Sequence, residues 1–573
     1  MFADTSRLNT RATRYVSRPE RPLQVMGEEG TGHLENISRS GLACIFSGSA
    51  TALRPGSVLR SLRLMSGKLI VDCGPVRIAR SAKLSNDVTG GAHIVGFAFE
   101  QEQPELIEQL EGALRPYEYV TGELSGRAQT PTSGTEGPEL TLDQFHRLDD
   151  PDLFAKCRNF KSWVSEMQEK QIYQKLYRVT LTGAIDNRVT VVDPISGTER
   201  VMHCFDSNSY LGLHRHPRVV EEVNRVTKLV GYGTPSAQLL CGTNRYLREL
   251  EQALAEFHGR KDAIVFPTGF AANIGTLHAL LRDEDAVIRD QFAHASIHEG
   301  CRTSNARMKK IFGHNKPDSL DRVLKNAGNA GCSGKLVVTD GVFSMHGQLA
   351  PLPELVSVCR KHNARLMVDD AHGVGVIGKN GRGVEEHFGM VGAVDVLMGT
   401  LSKALGCVGG YVCGDTDLVN YLRWFAPSGL FTTALPAAAC AGIKTALELI
   451  GSEPEHREEL WKNINQFVPA LKSAGFIVSE SASPIVTVLV GAQARLWEVS
   501  RELYEAGIKC GNVIYPAVAK TDTILRFTIN ARHTSKDLEY VIDTLTRIGR
   551  KHGLLGRTRE ELRGIDALPA QAA

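Results

Sequence analysis

The residue best placed for covalent chemistry in this chain is a lysine in a turn of small residues, Gly399-Thr400-Leu401-Ser402-Lys403-Ala404-Leu405-Gly406, at the end of an apolar run. A lysine amine condenses with carbonyl groups, and burial or a neighbouring cation lowers its pKa so that it works as a base. Most lysines are solvated surface charges, so this segment alone says little. Two others add weight. In Met367-Val368-Asp369-Asp370-Ala371-His372-Gly373-Val374-Gly375 an apolar strand runs into two carboxylates and a histidine. A carboxylate at a strand's carboxyl end can hold a pyridine nitrogen protonated and so make the ring an electron sink; the plainer reading is that Asp369 caps the following turn. In Phe266-Pro267-Thr268-Gly269-Phe270-Ala271-Ala272-Asn273 a strand passes through a glycine turn into a helix start. Backbone N–H groups there form an anion site suited to phosphate, although a bare Thr-Gly-Phe turn is common.

The elements that must position these residues follow from the texture of the chain. From about residue 145, strand-like runs at 263–266, 286–289, 335–340, 365–370, 394–400 and 411–414 alternate with helical patterns at 218–229, 246–257, 271–281 and 352–362. Such alternation predicts a largely parallel sheet with helices on both faces. Beyond about residue 452, strands at 485–490 and 525–529 and helices at 494–506 and 536–552 predict a separate small α/β lobe, with 556–573 as a tail. Residues 1–115 read as short strands, among them 41–46, 69–73 and 93–99, followed by a helix over 104–114: a small β-barrel closed by a helix. The Gly, Thr, Ser and Pro-rich stretch within 116–145 reads as a flexible linker.

Bulk properties exclude several classes. A chain of 573 residues exceeds one hydrophobic core, so two or more domains are expected. No apolar run approaches the roughly 20 residues of a transmembrane helix, and the basic, polar N-terminus lacks a secretory signal's apolar region. A net charge of +2 argues against a DNA binder. The 12 cysteines form no Cys-x-x-Cys pair, so neither a structural zinc site nor a disulfide framework is expected, and a reduced, cytoplasmic protein is. No metal ligand set stands out.

Taken in order, the segments resemble the α-oxoamine synthases, fold-type I pyridoxal-phosphate enzymes that include 8-amino-7-oxononanoate synthase, 2-amino-3-ketobutyrate CoA ligase, 5-aminolevulinate synthase and serine palmitoyltransferase. The resemblance spans roughly residues 150–553. It is carried by Asn208-Ser209-Tyr210-Leu211-Gly212-Leu213, Thr268–Asn273, His294-Ala295-Ser296, Asp340-Gly341-Val342-Phe343-Ser344-Met345, Asp369–His372 with Gly381-Arg382-Gly383, Thr400–Lys403, Phe431-Thr432-Thr433 and Arg526. It implies pyridoxal 5'-phosphate as cofactor, held covalently by Lys403, which also moves the Cα proton. It implies that Asp369 pairs with the pyridine nitrogen, that His372 and Ser344 lie near the ring 3'-oxygen, and that His294 stacks on the ring. Thr268, Gly269, Phe270 and Thr400 would hold the phosphate, with Thr432 and Thr433 reaching the partner's phosphate across a homodimer. Asn208 and Arg526 would bind the amino-acid carboxylate. The implied reaction is a decarboxylating condensation of a small amino acid with an acyl thioester, carried by coenzyme A or a carrier protein, to an α-aminoketone.

Two departures touch the substrates. Where family members show Gly-Gly-Ser/Thr-Arg, this chain has Pro235-Ser236-Ala237-Gln238, which puts Ala237 in the amino-acid pocket, and Leu247 replaces a usual histidine. The front segment, Arg14-Tyr15-Val16-Ser17-Arg18 and Asn36-Ile37-Ser38-Arg39-Ser40-Gly41, resembles a PilZ domain. That implies cyclic di-GMP binding by Arg14, Arg18, Asn36, Ser38 and Gly41 and regulation of the synthase. Other fold-type I chemistry (an aminotransferase or aldolase-type reaction), or a cyclic-di-GMP receptor with an inactive enzyme body, are the alternatives.

Overall fold

A computed structural model of the chain describes residues 145–146, 150–515 and 517–564, together with the backbone of ten strands between Tyr15 and Pro116. It divides into two compact units, Met1–Val120 and Thr121–Ala573.

In the first unit the strands form one sheet. The order Val76–Lys83, Ala92–Phe99, Gly41–Ser47, Gly30–Ser38, Gln24–Gly27, Leu62–Ser66, Leu69–Asp72 is antiparallel throughout. The strands expected at 41–46, 69–73 and 93–99 are present to within a residue. The helix expected over 104–114 lies outside the described residues except for Leu114, which opens the short strand Leu114–Pro116. The linker at 116–145 lies outside them apart from its two ends, and so do Arg14 and Arg18.

The second unit is built on a seven-stranded sheet in the order Asp262–Phe266, Gly410–Gly414, Val396–Thr400, Arg365–Asp369, Lys335–Asp340, Ala286–Asp290, Met308–Phe312. Only Gly410–Gly414 runs antiparallel to its neighbours. The central strands are buried along nearly their whole length, which is why they read as unbroken apolar runs rather than alternating ones. The edge strand Met308–Phe312 carries Lys309 and Lys310 and is half-exposed, so it gave no strand signal. Local rules set the helices. Pro217 opens Pro217–Val230, Asn244 and Thr268 cap Arg245–Phe257 and Gly269–Leu280 through their side chains, and Thr534 with Asp537 forms a capping box on Ser535–Lys551.

The small lobe holds a five-stranded sheet ordered Arg188–Val192, Glu199–Phe205, Ile508–Val513, Thr523–Thr528, Ile485–Gly491. It thus recruits two strands from before the large sheet, because Glu199–Phe205 pairs in parallel with Ile508–Val513. A hairpin with one covered face has no mark in sequence that assigns it to a lobe formed 300 residues later. The segment expected as a tail also begins with structure: Arg559–Gly564 is helical, Leu562 is fully buried, and Arg559 and Arg563 pair with Asp522. Among the described residues no helix is long and apolar enough to cross a membrane.

Candidate active site

Six parallel strands end at one edge of the large sheet, and their last residues include Phe266, Asp290, Asp340, Asp369 and Thr400. Asp340 and Asp369 are directly paired in register. Both are buried, at 3% and 5% exposure, and two adjacent buried carboxylates cannot both ionise cheaply. The structure divides their roles. Burial, then the charge of Asp369, pushes the Asp340 carboxyl well above the usual range. Asp369 instead is held by two donors: Asn273 Nδ2 reaches Oδ2 at 2.7 Å and the Ala371 amide reaches Oδ1 at 3.0 Å. Asp369 is therefore the member of the pair whose carboxylate has fixed donors on both oxygens.

The next residue, Asp370, does not compete for this role. Its carboxylate accepts from the Val384 amide at 2.7 Å, and a Cβ on Gly341, Gly373 or Gly383 would come within 2.6, 2.0 or 1.8 Å of its oxygens. Asp370 is thus enclosed by glycine backbone.

Lys403 lies in the turn after Val396–Thr400, half-buried. Burial lowers its pKa, Asp369 and Asp340 oppose that, and Arg526 lowers it further. His294 caps the helix Ala295–Thr303; its amide donates to Asp340 Oδ1 at 3.1 Å. Its Nδ1 accepts from the Ser296 amide at 3.2 Å and lies 2.8 Å from the Ser296 hydroxyl, which leaves the proton on Nε2. Burial, with a further push from Lys403 and against the pull of Asp369, keeps its pKa low. His372 is buried and its Nδ1 meets the Tyr210 hydroxyl at 2.5 Å. Burial, then Lys403, Arg526 and His294, hold its pKa well below normal, so the ring is neutral.

The helix Gly269–Leu280 begins beside the end of Val396–Thr400. Thr268 satisfies two first-turn amides: its hydroxyl takes Ala271 N at 3.0 Å and its carbonyl takes Ala272 N at 3.0 Å. The amides of Gly269 and Phe270 have no acceptor within the helix. A Cβ on Gly269 would sit 3.0 Å from the Thr400 hydroxyl, and one on Gly410 would sit 2.5 Å from Gly269 Cα. Glycine at both positions lets the helix end close on the strand tips. The Thr400 hydroxyl donates to Gly409 O at 3.0 Å and lies 2.8 Å from Ser402 Oγ.

Across the cleft the small lobe contributes Arg526, on Thr523–Thr528. Its Nε donates to Ser344 O at 2.9 Å, Nη1 to Thr528 Oγ1 at 3.1 Å and Nη2 to Asn208 Oδ1 at 3.3 Å. Asn208 and Arg526 are thus joined, and Ser344 enters through its carbonyl. Thr433 forms a bridge with Ala237, and Ala434 N bonds Ser236 O at 3.0 Å. Among the described residues no hydrogen bond joins Thr432 or Thr433 to Thr268, Gly269 or Thr400. Gln238, at the position of the family's arginine, donates to Val265 O at 2.7 Å and ties this segment to the sheet.

Sequence reasoning assigned no role to four residues that the structure makes central: Asn273, Ser296, Asp340 and Tyr210. All lie inside the quoted motifs, but each acts by holding another side chain, and only the fold shows which one. Asn273 is the clearest case, since its Nδ2 donates both to Asp369 and, at 2.8 Å, to Ser296 Oγ.

A mostly parallel sheet that carries a lysine, a donor-bound aspartate and a histidine-capped helix at its carboxyl edge is the layout of a fold-type I pyridoxal-phosphate transferase. The family model for aminotransferase class I and II matches residues 201–545. The chain is 38% identical over 422 residues to 4-hydroxy-2,2'-bipyrrole-5-methanol synthase PigH of Serratia sp., covering 73% of this chain and 64% of that relative's length. It is 42% identical over 339 residues to 8-amino-7-oxononanoate synthase 1 of Bacillus velezensis, covering 59% of this chain and 86% of the relative. A solved structure of serine palmitoyltransferase from S. paucimobilis, with a bound PLP–myriocin aldimine, superposes with a TM-score of 0.67 at 31% identity, over 70% of this chain and all of that one. The chain belongs to the aminotransferase class I and II family and, within it, to the α-oxoamine synthases, pyridoxal-phosphate-dependent acyltransferases.

The residues present fit pyridoxal 5'-phosphate. The Asp369 carboxyl is kept in place by fixed donors, as a partner for a protonated pyridine nitrogen requires. The glycine-lined helix end beside Thr400 leaves the room that a Cβ would fill. Lys403 has the lowered pKa of an amine that condenses with an aldehyde.

Proposed function

We propose that the chain condenses a small amino acid with an acyl thioester, coenzyme A-bound or carrier-protein-bound, with loss of carbon dioxide, to give an α-aminoketone. The observation that carries this reading is that Lys403 stands within electrostatic reach of Asp369, Asp340 and Arg526, and that Arg526 is hydrogen-bonded to Asn208. An amino acid bound there has its carboxylate on the guanidinium and its α-carbon toward the amine. When bound, pyridoxal phosphate supplies an electron sink for negative charge at that carbon.

The chain's own residues do the rest. Asp369 holds the sink's nitrogen protonated. Lys403 removes and returns the Cα proton, which its lowered pKa favours. Arg526 keeps part of its donor fork for the carboxylate while Ser344, Thr528 and Asn208 orient it. His294, with Nδ1 occupied by Ser296, would stack on the bound cofactor's ring and offer Nε2–H to the oxyanion developing on the thioester carbonyl. His372 and Ser344 serve the ring oxygen, and Thr268, Gly269, Phe270 and Thr400 the phosphate. The similar proteins named 8-amino-7-oxononanoate synthase, PigH and serine palmitoyltransferase support this class of reaction. The test is a matrix of single amino acids against acyl thioesters, read by release of free thiol and carbon dioxide. Stoichiometric release of both with one small amino acid is expected; an oxo acid formed without thiol release would mean aminotransfer instead.

The proposal extends to assembly and location. A homodimer is supported by large apolar side chains left in water around the Ala237–Thr433 bridge, with Tyr232, Leu240 and Phe431 at 89%, 75% and 84% exposure. In it Thr432 and Thr433 would reach the partner's phosphate. A reducing cytoplasm is supported by the described cysteines, all free thiols. For the front unit we propose a PilZ-like barrel that binds cyclic di-GMP through Arg14, Arg18, Asn36, Ser38 and Gly41. Backbone pairing supports it: Tyr15, next to Arg14 in the chain, pairs with Ile37, and Ser38 pairs with Gly41. Calorimetry should detect cyclic di-GMP binding at tens of micromolar or tighter in the intact protein and its loss in Arg14→Ala/Arg18→Ala; absence in the intact protein would reduce this unit to a structural module.

A further inference from the structure

Away from the cleft, three ligand-bearing side chains converge from separate segments. His216 precedes the helix Pro217–Val230, Glu453 follows Ala437–Ser452, and His456 stands in the first turn of Glu455–Ser473. One donor atom from each lies within 4.8 Å of the other two. His216 Nε2 is 3.3 Å and His456 Nε2 is 3.1 Å from the same carboxylate oxygen, Glu453 Oε2. In a tetrahedral zinc site with bonds of about 2.0–2.1 Å, the edges between ligand atoms are about 3.3–3.4 Å. These two spacings fall close to such an edge before any ion draws the ligands together.

The competing arrangement is a carboxylate hydrogen-bonded by two imidazoles. Only His456 meets hydrogen-bond geometry toward Glu453. His216 reaches the same oxygen at ion-pair distance alone, and its Nδ1 is buried without a partner. The other carboxylate oxygen, Oε1, faces the exposed Arg218 at 3.6 Å, which leaves Oε2 to the histidines. Side-chain exposures of 18%, 27% and 29% for His216, Glu453 and His456 place the cluster where an ion can enter yet be partly stripped of water.

We propose that His216, Glu453 and His456 form a binding site for a divalent transition-metal ion of the zinc(II) type, with a fourth position open to water. Two imidazoles and one carboxylate suit zinc better than the oxygen-seeking magnesium or calcium. The site lies on the joint Glu453–Pro454, where the chain leaves Ala437–Ser452, packed on Pro217–Val230, and enters Glu455–Ser473, which packs on Ser535–Lys551 of the small lobe. A bound ion ties this joint to the segment ahead of Pro217–Val230 and braces the path between the lobes. No local sequence pattern marks the set, because Glu453 and His456 are near neighbours in the chain whereas His216 comes from far upstream.

The test uses the full-length holoenzyme stripped with a chelator. Zinc chloride is titrated against a competing indicator, and cobalt(II) is added in parallel as a spectroscopic probe of coordination. One equivalent of zinc bound tighter than about 10 µM, an intense visible cobalt band of tetrahedral type, and a rise in Tm of a few degrees on zinc saturation are expected. His216→Ala and His456→Ala should each lose that equivalent and the band. His456→Gln, which can keep a hydrogen bond to Glu453 and so preserve the fold, should lose them too. No binding at 10 µM, or binding unchanged in His456→Gln, would overturn the proposal and leave a hydrogen-bonded joint.

Discussion

Replacing Asn273 with alanine removes the side chain that links the two groups proposed to face the cofactor ring, Asp369 and His294. Its amide donates to Asp369 Oδ2 at 2.7 Å and to Ser296 Oγ at 2.8 Å, and Ser296 in turn lies against His294 Nδ1 at 2.8 Å. A hydrogen bond to a charged group contributes about 1.5–3 kcal/mol. Asn273 is fully buried, so water does not readily replace it. If Asp369 loses that much of its preference for the ionised, correctly aimed form, the proton it shares with the ring nitrogen is held less well by the same amount. Exchange of the amino acid's Cα proton should then slow by roughly 10- to 150-fold. The carboxylate contacts of Arg526 are untouched, so the amino acid's KM should change by much less than kcat. Deuterium washout from the substrate amino acid, measured without thioester, isolates this step. Exchange within about threefold of wild type, in a folded variant that retains cofactor, would refute the chain of reasoning from Asn273 through Asp369.

Four further outcomes are expected. Lys403→Ala abolishes turnover, and borohydride reduction of wild-type holoenzyme followed by peptide mapping places the pyridoxyl group on Lys403; a label on another lysine rejects the assignment. Asp369→Asn retains cofactor but slows Cα-proton exchange by orders of magnitude, because Asp370 is enclosed by glycine backbone and cannot take over; near-normal exchange would show that no carboxylate is needed. Mixing inactive Lys403→Ala subunits with inactive Thr433→Val subunits restores part of the activity if sites are shared in a homodimer, and none if each site is complete within one chain. Burial first, with nearby arginines, lowers His258 to about 3, and burial lowers His533 to about 4, against about 6.5 in the unfolded chain. The unfolded chain therefore binds more protons below that value, so stability is complete above about pH 6.5 and falls as pH drops toward 4. The slope is roughly 1.4 kcal/mol per pH unit for each histidine; denaturant titrations at several pH values should show it, and His258→Gln should lessen it.

The sequence by itself determined the catalytic unit's class and singled out candidate residues for its chemistry. Runs such as Lys335–Asp340 and Arg365–Asp369 are apolar along their length because both faces of the sheet are covered, and a local pattern of that kind survives without knowledge of the fold. Lys403, Asp369 and Thr268–Gly269 were legible because each sits where a strand gives way to a turn, and turns obey local rules. What only the tertiary structure decided is which groups lean on which. Asn273 and Asp369 are 96 residues apart, and Arg526 and Asn208 are 318 apart; no local pattern records such a contact. The different settings of Asp340 and Asp369 also came from the fold, because they depend on burial and on donors supplied by other elements. The same holds for the small lobe, whose sheet joins Glu199–Phe205 to Ile508–Val513, and for the meeting of His216 with Glu453 and His456. Hydrophobic period and turn chemistry act within a few residues of chain, whereas electrostatics and hydrogen bonding act through space, and only folding brings those partners within reach.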